Sequence, residues 1–302
     1  MKRLIFSLAV TFMVAKIPAP VNQKEFKTID KNTSGLVYDA VDHIYYVASA
    51  RTGAIGKYTA DGKYEMLYSD DDFKMSSALK ITPDGKTLYF CIGEKTSEEN
   101  TAYESSGKTL KLVSIDAKSG KKISETDLSD LSNGNHFASD LTFDANGNIY
   151  IADHTASSIY KVNAAGIASL FAGSDQFEGE KKGLNSIVWH PKGFLLANDS
   201  VGNLFKIEIS NPKDIQKVTT SNLALNADGL ILSNNNTLTL FRKSNKAKAF
   251  QLISNDNWKS AVVNPGVSAD AKVSNHKEAW VLNAETIEPV KPVGIEKANS
   301  EM

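Results

Sequence analysis

Short runs of apolar residues alternate with polar positions along nearly the whole chain after residue 25. The runs are rich in Val, Ile, Tyr and Phe, and Gly, Asn and Asp interrupt them. Alternation over four to eight residues between such turn formers is typical of β-strands, whereas the 3.6-residue periodicity of helices is nearly absent. The pattern therefore predicts an all-β protein.

Six of these runs align with one another, and each follows another strand and a turn. In chain order they are DHIYYVAS, GKTLYFCI, GNIYIADH, GFLLANDS, NTLTLFRK and KEAWVLNA. Their matching positions are Tyr45, Tyr89, Tyr150, Leu196, Thr239 and Trp280. Successive positions are roughly 40 to 46 residues apart, except for one interval of about 60 residues. This spacing indicates an internal repeat.

A repeat of about 40 to 45 residues with four strands is typical of propeller blades, because one blade cannot bury both faces of its sheet alone. The unit is complete from Ser139 to Phe171, where the turn sequences DANG and NAAG join the strands. Six copies predict a six-bladed β-propeller, with residues 24–302 as a single domain. Two separate β-domains are the alternative, and the even spacing disfavours them.

Two segments fall outside the regular repeat. The long interval contains the polar, acidic segment Gly93–Lys108, which we interpret as a loop insertion between the second and third strands of its blade. The segment Lys24–Asp30 precedes the first blade as an additional strand, while the sixth repeat ends irregularly. Because a closed ring has no open sheet edge, we expect the N-terminal strand to close the last blade.

The first 20 residues have the order of a secretory signal peptide. Lys2 and Arg3 precede an apolar stretch from Leu4 to Ala15, which is shorter than the roughly 20 residues that span a bilayer. An N-terminal strand or anchor is the alternative. With residues 1–20 as signal peptide and no other segment of membrane length, we expect a secreted or periplasmic protein without a transmembrane segment.

Charge and motif content exclude several classes of function. The net charge is −1, from 34 basic and 35 acidic residues, so the chain has no basic field to hold nucleic acid or an anionic membrane. It also lacks a Cys/His cluster with zinc spacing, a G-x-S-x-G elbow, a P-loop and a dinucleotide fingerprint. We expect a monomer.

Several residues with reactive or aromatic side chains are predicted to be structural. A single cysteine excludes an internal disulfide framework, and Cys91 follows the strand sequence TLYF, so we expect a small buried hydrophobic residue. The tryptophans, among them Trp258, are expected to pack in or between blades. His190 lies in the turn WHPKG and is expected to have a structural role.

The residues that open the first strand of each blade are the candidate site. In a propeller this strand runs along the central channel, so its first residue points to the channel mouth. Counting back by the same number of residues from each aligned position gives Ser34, Ala78, Ser139, Asn185, Asp228 and Ala269. Ser77, Asp140 and Asp270 are one place away. We expect these residues to form a ring.

Three stretches resemble a known family. They are GLNSIVWHPKGFLLAND, NADGLILSNNNTLTL and SDLTFDANGNIYIAD. They are similar to blades of the senescence marker protein/gluconolactonase family, the relatives of regucalcin, and the third blade is also similar to the NHL repeat. The resemblance implies a six-bladed propeller that binds a divalent cation, usually Ca²⁺, and hydrolyses lactones or similar esters.

The family's metal ligands match this chain in part. Asn185 in LNSIVW matches an Asn ligand of the family, and Asp228 in ADGL matches its Asp. Ser34 stands where the family has Glu, and Ser139 stands where it has a second Asn. A serine hydroxyl replaces a carboxylate poorly as a Ca²⁺ ligand, so a neighbouring acidic residue such as Asp140 would have to compensate.

Two functions follow from these residues. The first is a cation-dependent hydrolase of a lactone or ester, with Asn185, Asp228, Ser139, Ser34 and Asp140 as ligands of Ca²⁺ or another divalent cation. Asp228 and His136 are its candidate catalytic residues, with His136 as acid or base near the mouth. The second is a non-catalytic propeller whose mouth binds a ligand or a protein.

Each candidate also has a structural interpretation. Asn185 and Asp228 are equally expected at strand ends, where their side chains bond neighbouring backbone. Asp153 and Asp199 follow strands and are interpreted as structural acceptors. His136 and His154 are single loop histidines for which an inert role is the alternative. Glu178, Glu180 and the glutamates of the insertion are interpreted as solvated loop charge.

Overall fold

The computed structural model of the chain describes residues 26–27, 33–39, 42–49, 52–59, 61–71, 75–95, 106–173, 177, 183–220, 229–242, 248–265, 280–283 and 286–289. Within these ranges the protein is nearly all β, with 24 strands and a short 3-10 turn at Ser129–Leu131. The prediction of an all-β chain is confirmed.

The strands form six sheets, which we number in chain order. The first sheet contains β2 (Thr33–Asp39), β3 (Ile44–Ser49), β4 (Ile55–Tyr58) and β5 (Tyr64–Tyr68). The second contains β6 (Met75–Ile81), β7 (Thr87–Lys95), β8 (Ser106–Asp116) and β9 (Lys122–Asp127). The third contains β10 (Ala138–Phe143), β11 (Ile149–Asp153), β12 (Ser158–Val162) and β13 (Ala168–Gly173).

The fourth sheet contains β14 (Leu184–His190), β15 (Phe194–Asp199), β16 (Leu204–Glu208) and β17 (Ile215–Lys217). The fifth contains β18 (Thr219–Thr220), β19 (Gly229–Asn234), β20 (Thr237–Arg242), β21 (Lys248–Ile253) and β22 (Ser260–Pro265). The sixth contains β1 (Phe26–Lys27), β23 (Trp280–Asn283) and β24 (Thr286–Pro289). Neighbouring strands within each sheet are antiparallel, except that β18 runs parallel to its neighbour β22.

Tight turns with predictable chemistry connect the strands. Between β10 and β11, the Asp144 carboxylate accepts from the backbone N–H groups of Asn146 and Asn148, both at 2.9 Å. Between β12 and β13, the Asn163 side chain accepts from the backbone N–H of Ile167 at 2.9 Å in the same way. The predicted DANG and NAAG turns are therefore present, because Asp and Asn side chains satisfy backbone donors that the hairpin leaves unpaired.

The hydrophobic core lies between successive sheets. Alternate residues of a strand point to opposite faces, so Phe90 of β7 packs towards the first sheet and Cys91 packs towards the third. Equivalent clusters join the third sheet to the fourth and the fourth to the fifth. The first sheet has a further buried cluster on its other face, which includes Tyr38 and Tyr58.

One edge strand of each of the first five sheets contacts the corresponding strand of the next sheet: β2 with β6, β6 with β10, β10 with β14, and β14 with β19. We call these five strands the inner strands. Stacking of four-stranded sheets along a common set of inner strands is the arrangement expected for propeller blades. A complete ring of six blades stays a prediction.

The N-terminal strand pairs with a strand near the C-terminal end of the described residues. Phe26 and Lys27 pair with Ile287 and Thr286 of β24, which in turn pairs with β23. Both ends of the chain therefore contribute to the sixth sheet. The insertion also lies between the second and third strands of its sheet as predicted, and residues 96–105 of it are outside the described ranges.

Two further predictions concern membrane segments and the thiol. No helix in the described part of the chain is long and apolar enough to cross a bilayer. The signal peptide assigned to residues 1–20 lies outside the described residues. Cys91 is fully buried between the second and third sheets, and burial raises the pKa of its thiol, as expected of a packing residue.

Candidate functional site

The candidate ring residues occupy β-bulges of the inner strands. Ser34, Ser139 and Asn185 each lie at the position where strand register shifts between the first and second strands of their sheets. In the second sheet the irregularity spans Ser77 to Lys80 and contains Ala78, whose φ is 52°. A bulge bends the strand and redirects its side chain, so the sequence alignment identified structurally equivalent positions.

The two serines of the ring bond to backbone carbonyls of neighbouring strands. The Ser139 hydroxyl lies 2.7 Å from the Leu184 carbonyl of β14 and 3.2 Å from the Ala152 carbonyl of its own sheet. The Ser34 hydroxyl contacts the Ser76 and Ala48 carbonyls in the same arrangement. Each hydroxyl therefore links an inner strand to the next sheet, and its single hydrogen is directed at protein oxygen.

Asp140 connects three sheets. One carboxylate oxygen lies 2.9 Å from the Lys80 ammonium of the second sheet, in an ion pair whose side chains are only 9% and 12% exposed. The other accepts from the backbone N–H of Ile187 in the fourth sheet at 3.1 Å. Asp140 is already neutralised by a buried cation, so this position does not fit the predicted role as a cation ligand.

The same edge of β14 receives another side chain from the third sheet. The Thr142 hydroxyl accepts from the backbone N–H of Trp189 at 3.1 Å. An inner strand has one edge that pairs with no other strand, so its backbone N–H groups there need other acceptors. Here polar side chains of the preceding sheet accept these hydrogen bonds. The polar residues of β10 therefore stabilise the contact between sheets.

Asn185 lies beside a histidine that sequence analysis had considered only as a lone loop residue. Nδ1 of His154 is 3.3 Å from the Leu184 carbonyl, and the Asn185 side chain hydrogen-bonds to the same ring. Both residues are half-buried. Burial lowers the pKa of His154 and outweighs these two hydrogen bonds, so the ring is neutral near pH 7.

Gly183 makes this contact possible. Its φ is 123°, and a Cβ there would lie 2.6 Å from the His154 ring and 2.4 Å from the His154 carbonyl oxygen. Only glycine therefore allows the start of β14 to approach the loop after β11 so closely. In the sequence, His154 could be recognised only as a residue that follows Asp153 at a strand end. The sequence did not indicate that its partner is Asn185 of the next sheet.

The structure places His136 in the interior of the protein. Its ring is fully buried, with Nδ1 2.7 Å from Asp153 Oδ2 and Nε2 3.0 Å from the Ser129 carbonyl. Because both ring nitrogens are bonded inside the protein, His136 is not an acid or base accessible to a substrate. The charge of Asp153 and the connection before β10 hold the ring in the interior.

Two acidic residues considered for the rim also have structural partners. The Asp153 carboxylate accepts from the backbone N–H of Phe137 at 3.1 Å as well as bonding His136. Asp199 accepts from the backbone and side-chain amides of Asn203, at 2.8 and 2.7 Å, within one hairpin turn. Their interpretation as structural acceptors agrees with these contacts.

Several members of the candidate set lie outside the described residues: Asp228, Asp270, Glu178 and Glu180. Within the described part of the chain, no group of three or more His, Cys, Asp and Glu side chains is arranged to hold a metal ion. The residues that the structure brings together are therefore Asn185 and His154, at the junction of the third and fourth sheets.

Comparison with known proteins identifies the fold. No protein-family model matches the sequence, and no curated protein matches it. Among solved structures, the allergen Mala s 1 of Malassezia sympodialis is 15% identical with a TM-score of 0.71, over 88% of this chain and 95% of the allergen. The fold is a β-propeller.

Other propellers are similar to this one over comparable lengths. Virginiamycin B lyase from Staphylococcus aureus has a TM-score of 0.55 and 15% identity, over 88% of this chain and 97% of the lyase. A gluconolactonase candidate has a TM-score of 0.57 and 12% identity, over 89% of this chain and 93% of its own. At such low identities the similarity concerns the fold alone.

Proposed function

We propose that the protein is a six-bladed propeller closed by its N-terminal strand. The pairing of β1 with β24 supports this, because it places both chain ends in one sheet. The buried clusters on both faces of the first sheet also support it, since a terminal sheet of an open stack would expose one face. Export through residues 1–20 as a signal peptide is part of the same proposal.

We propose that this propeller binds a small polar ligand, without catalysis, where Asn185 and His154 meet. The observation that supports this most directly is the contact between two half-buried polar side chains across the third and fourth sheets. Asn185 and His154 bring an amide and an imidazole together where β14 begins, and the His154 ring also contacts the Leu184 carbonyl. A neutral imidazole beside an amide suits a ligand with hydroxyl or carbonyl groups.

Replacing Asn185 with Ala tests this site. A thermal-shift screen with lactones, sugar acids and sugars first supplies a ligand for the purified protein, since ligand binding to the native state raises Tm. We expect N185A to weaken the affinity for that ligand about tenfold, equivalent to about 1.4 kcal/mol, by removing an amide partner. Isothermal titration calorimetry measures the change.

Asn146→Ala is the matched control, because Asn146 is an exposed asparagine in the turn between β10 and β11. It should leave the affinity unchanged. Equal affinities of N185A and the wild type for the ligand would place the binding site elsewhere on the propeller.

Calcium-dependent hydrolysis of a lactone or ester is the second candidate. The position of Asn185 favours it, since this residue is half-buried at an inner-strand bulge and matches a ligand of the gluconolactonase pattern. Within the described residues no group of three or more His, Cys, Asp and Glu side chains is arranged to hold a cation, and Asp140 is paired with Lys80. The candidate therefore depends on Asn185 together with Asp228.

Calcium titration separates the two candidates. For the binding propeller, we expect no Ca²⁺ binding up to millimolar concentration in calorimetry and no acid release from a lactone panel. Micromolar binding that Asp228→Ala abolishes, together with acid release, would instead establish the hydrolase. Asp214→Ala is the control, because it removes an aspartate in the turn before β17, away from the candidate site. It should leave Ca²⁺ binding unchanged.

A further inference from the structure

Two buried histidines of this propeller have opposite hydrogen-bond environments. Nε2 of His190 lies 2.7 Å from the Asn235 carbonyl and therefore donates, while Nδ1 accepts from the backbone N–H of Lys192 at 3.1 Å. One donor and one acceptor satisfy a neutral imidazole fully. Burial lowers the pKa of His190, in agreement with a neutral ring.

His136 faces acceptors at both ring nitrogens. Nδ1 is 2.7 Å from Asp153 Oδ2 and 3.1 Å from the Tyr160 hydroxyl, and Nε2 is 3.0 Å from the Ser129 carbonyl, which has no proton to donate. An imidazolium, with hydrogen on both nitrogens, donates to Asp153 and to Ser129 at once, so this pair of contacts favours the charged ring. A fully buried cation of this kind requires the carboxylate beside it.

Three protein donors besides His136 surround the Asp153 carboxylate. Its Oδ1 accepts from the backbone N–H groups of Phe137 at 3.1 Å and Ala156 at 3.0 Å. Its Oδ2 accepts from the Tyr160 hydroxyl at 3.0 Å, and that hydroxyl is 2.8 Å from the Ser132 hydroxyl. The connection before β10, the turn after β11 and β12 therefore all hold the Asp153 carboxylate in place.

We propose that the His136–Asp153 pair is a pH-operated latch that fastens the connection between the second and third sheets to the end of β11. The connection is residues 128–137, which run from the end of β9 to the start of β10. When His136 loses its proton, one of its two acceptors loses its donor, and Asp153 keeps a buried charge without a cation. Both effects favour release of the connection.

The latch is also joined to the proposed ligand site, although the latch itself does not depend on that proposal. The Phe137 carbonyl accepts from the backbone N–H of His154 at 2.8 Å, and the His154 ring bonds Leu184 and Asn185. Release of the connection therefore removes a support of His154. The backbone N–H of His136 bonds the Gly107 carbonyl at 2.9 Å, which holds the other side.

The sign of the pH dependence follows from the shift of the His136 pKa. Burial lowers this pKa, but the hydrogen bond and charge of Asp153 outweigh burial, so the net shift is upward. The stabilisation is complete below the ordinary histidine pKa of about 6.5 and is lost as pH rises through the higher folded-state pKa. The latch is closed in acid solution and opens as pH rises through the folded-state pKa of His136, which lies above the ordinary value.

Among the described residues, the other titratable groups that face the latch are Asp153 of β11, Tyr160 of β12, Cys91 of β7 and His154 after β11. Burial lowers the pKa of His154, so its ring is neutral where His136 titrates. Burial raises the pKa of both Tyr160 and Cys91, so both stay neutral while His136 titrates.

Histidine-ring NMR of the wild-type protein tests the latch without any variant. Spectra from about pH 5 to about pH 10 should show both His136 ring nitrogens protonated at about pH 6.5 and one of them deprotonated as pH rises further. His190 in the same spectra is the internal control and should stay neutral over most of this range. A His136 ring that is mostly neutral at about pH 6.5 would overturn the proposal.

Hydrogen exchange measures the opening itself. After correction for intrinsic rates, exchange of peptides covering residues 128–137 should rise at least about tenfold between pH 6 and pH 9, a change of about 1.4 kcal/mol in opening free energy. The Asp153→Asn variant, which keeps the side-chain shape without the charge, should lose this pH dependence. Corrected exchange of the wild type that stays constant across the range would contradict the latch.

Discussion

Replacing Asp140 with Ala is expected to lower the free energy of unfolding by about 3–5 kcal/mol, because it leaves a buried lysine without its counter-ion. The Lys80 ammonium lies 2.9 Å from the Asp140 carboxylate, and its side chain is only 9% exposed. The substitution also removes the acceptor of the Ile187 and Leu141 backbone N–H groups. Equilibrium urea denaturation of the purified protein measures the loss.

Two further variants separate charge from hydrogen bonding. Asp140→Asn keeps an acceptor oxygen but not the charge, so its cost should be intermediate. The double variant Lys80→Met with Asp140→Asn should recover most of the stability, because removing both charges avoids the unpaired ammonium. The interaction energy from this double-mutant cycle measures how much the Lys80–Asp140 ion pair contributes to stability.

An exposed ion pair provides the matched control. Glu65 lies 3.3 Å from Lys57 and is 64% exposed. Because water screens exposed pairs, Glu65→Ala should cost less than about 1 kcal/mol. If D140A costs as little as E65A, the pair does not hold the second, third and fourth sheets together as inferred.

Replacing Trp258 with Ala is expected to destabilise the protein by about 3–5 kcal/mol through loss of packing between the fourth and fifth sheets. Trp258 is 1% exposed and packs with Phe194 and Leu252. Its indole N–H donates to the Asn235 carbonyl at 3.1 Å, the same oxygen that His190 contacts. Urea denaturation again measures the change.

The backbone at Trp258 shows how strongly this packing is preferred. Its φ is 65°, a left-handed conformation that costs a non-glycine residue energy, and the Ser254 hydroxyl accepts a hydrogen bond from its backbone N–H at 2.8 Å.

Trp258→Phe keeps most of the packing and loses the indole hydrogen bond, so its stability should fall less than that of W258A. Val262→Ala, at a 63% exposed position of β22, should change stability by no more than about 0.5 kcal/mol. Equal losses for W258A and V262A would contradict the packing argument.

Local chemistry explains the parts of the fold that were predictable from sequence. The turn at Asp144 is recognisable because its side chain bonds the backbone within four residues, a distance that one stretch of sequence covers. The bulge positions Ser34, Ser139 and Asn185 were found because blades repeat the same local geometry at similar intervals. The burial of Cys91 and Trp258 follows in the same way from strand patterns and size.

The roles of the ring residues were less accessible, because their partners lie in other sheets. The acceptors of Ser34 and Ser139 are 42 and 45 residues further along the chain. Nothing local to Asp140 indicates that a lysine of the preceding sheet neutralises it. The Ser and Asp residues that suggested a cation site in the sequence therefore have another role in the structure, where they join neighbouring sheets.

His136 illustrates the same limit within one repeat. It precedes β10 and Asp153 ends β11, so the two lie 17 residues apart, yet their contact depends on how the connection folds onto the hairpin. The other aligned blades do not repeat this His and Asp combination, so the alignment carried no signal for it.

Hydrophobic alternation, turn residues and repeat spacing were sufficient to specify an all-β chain of stacked four-stranded sheets, with its N-terminal strand joined to the C-terminal pair. These features arise from interactions between residues close in sequence, or from a pattern that each blade repeats. Tertiary structure alone decided that Asp140 meets Lys80, that His136 is buried against Asp153 and that His154 meets Asn185. Such contacts depend on the packing of one sheet against the next, which brings together charges and hydrogen-bonding groups that no local pattern relates.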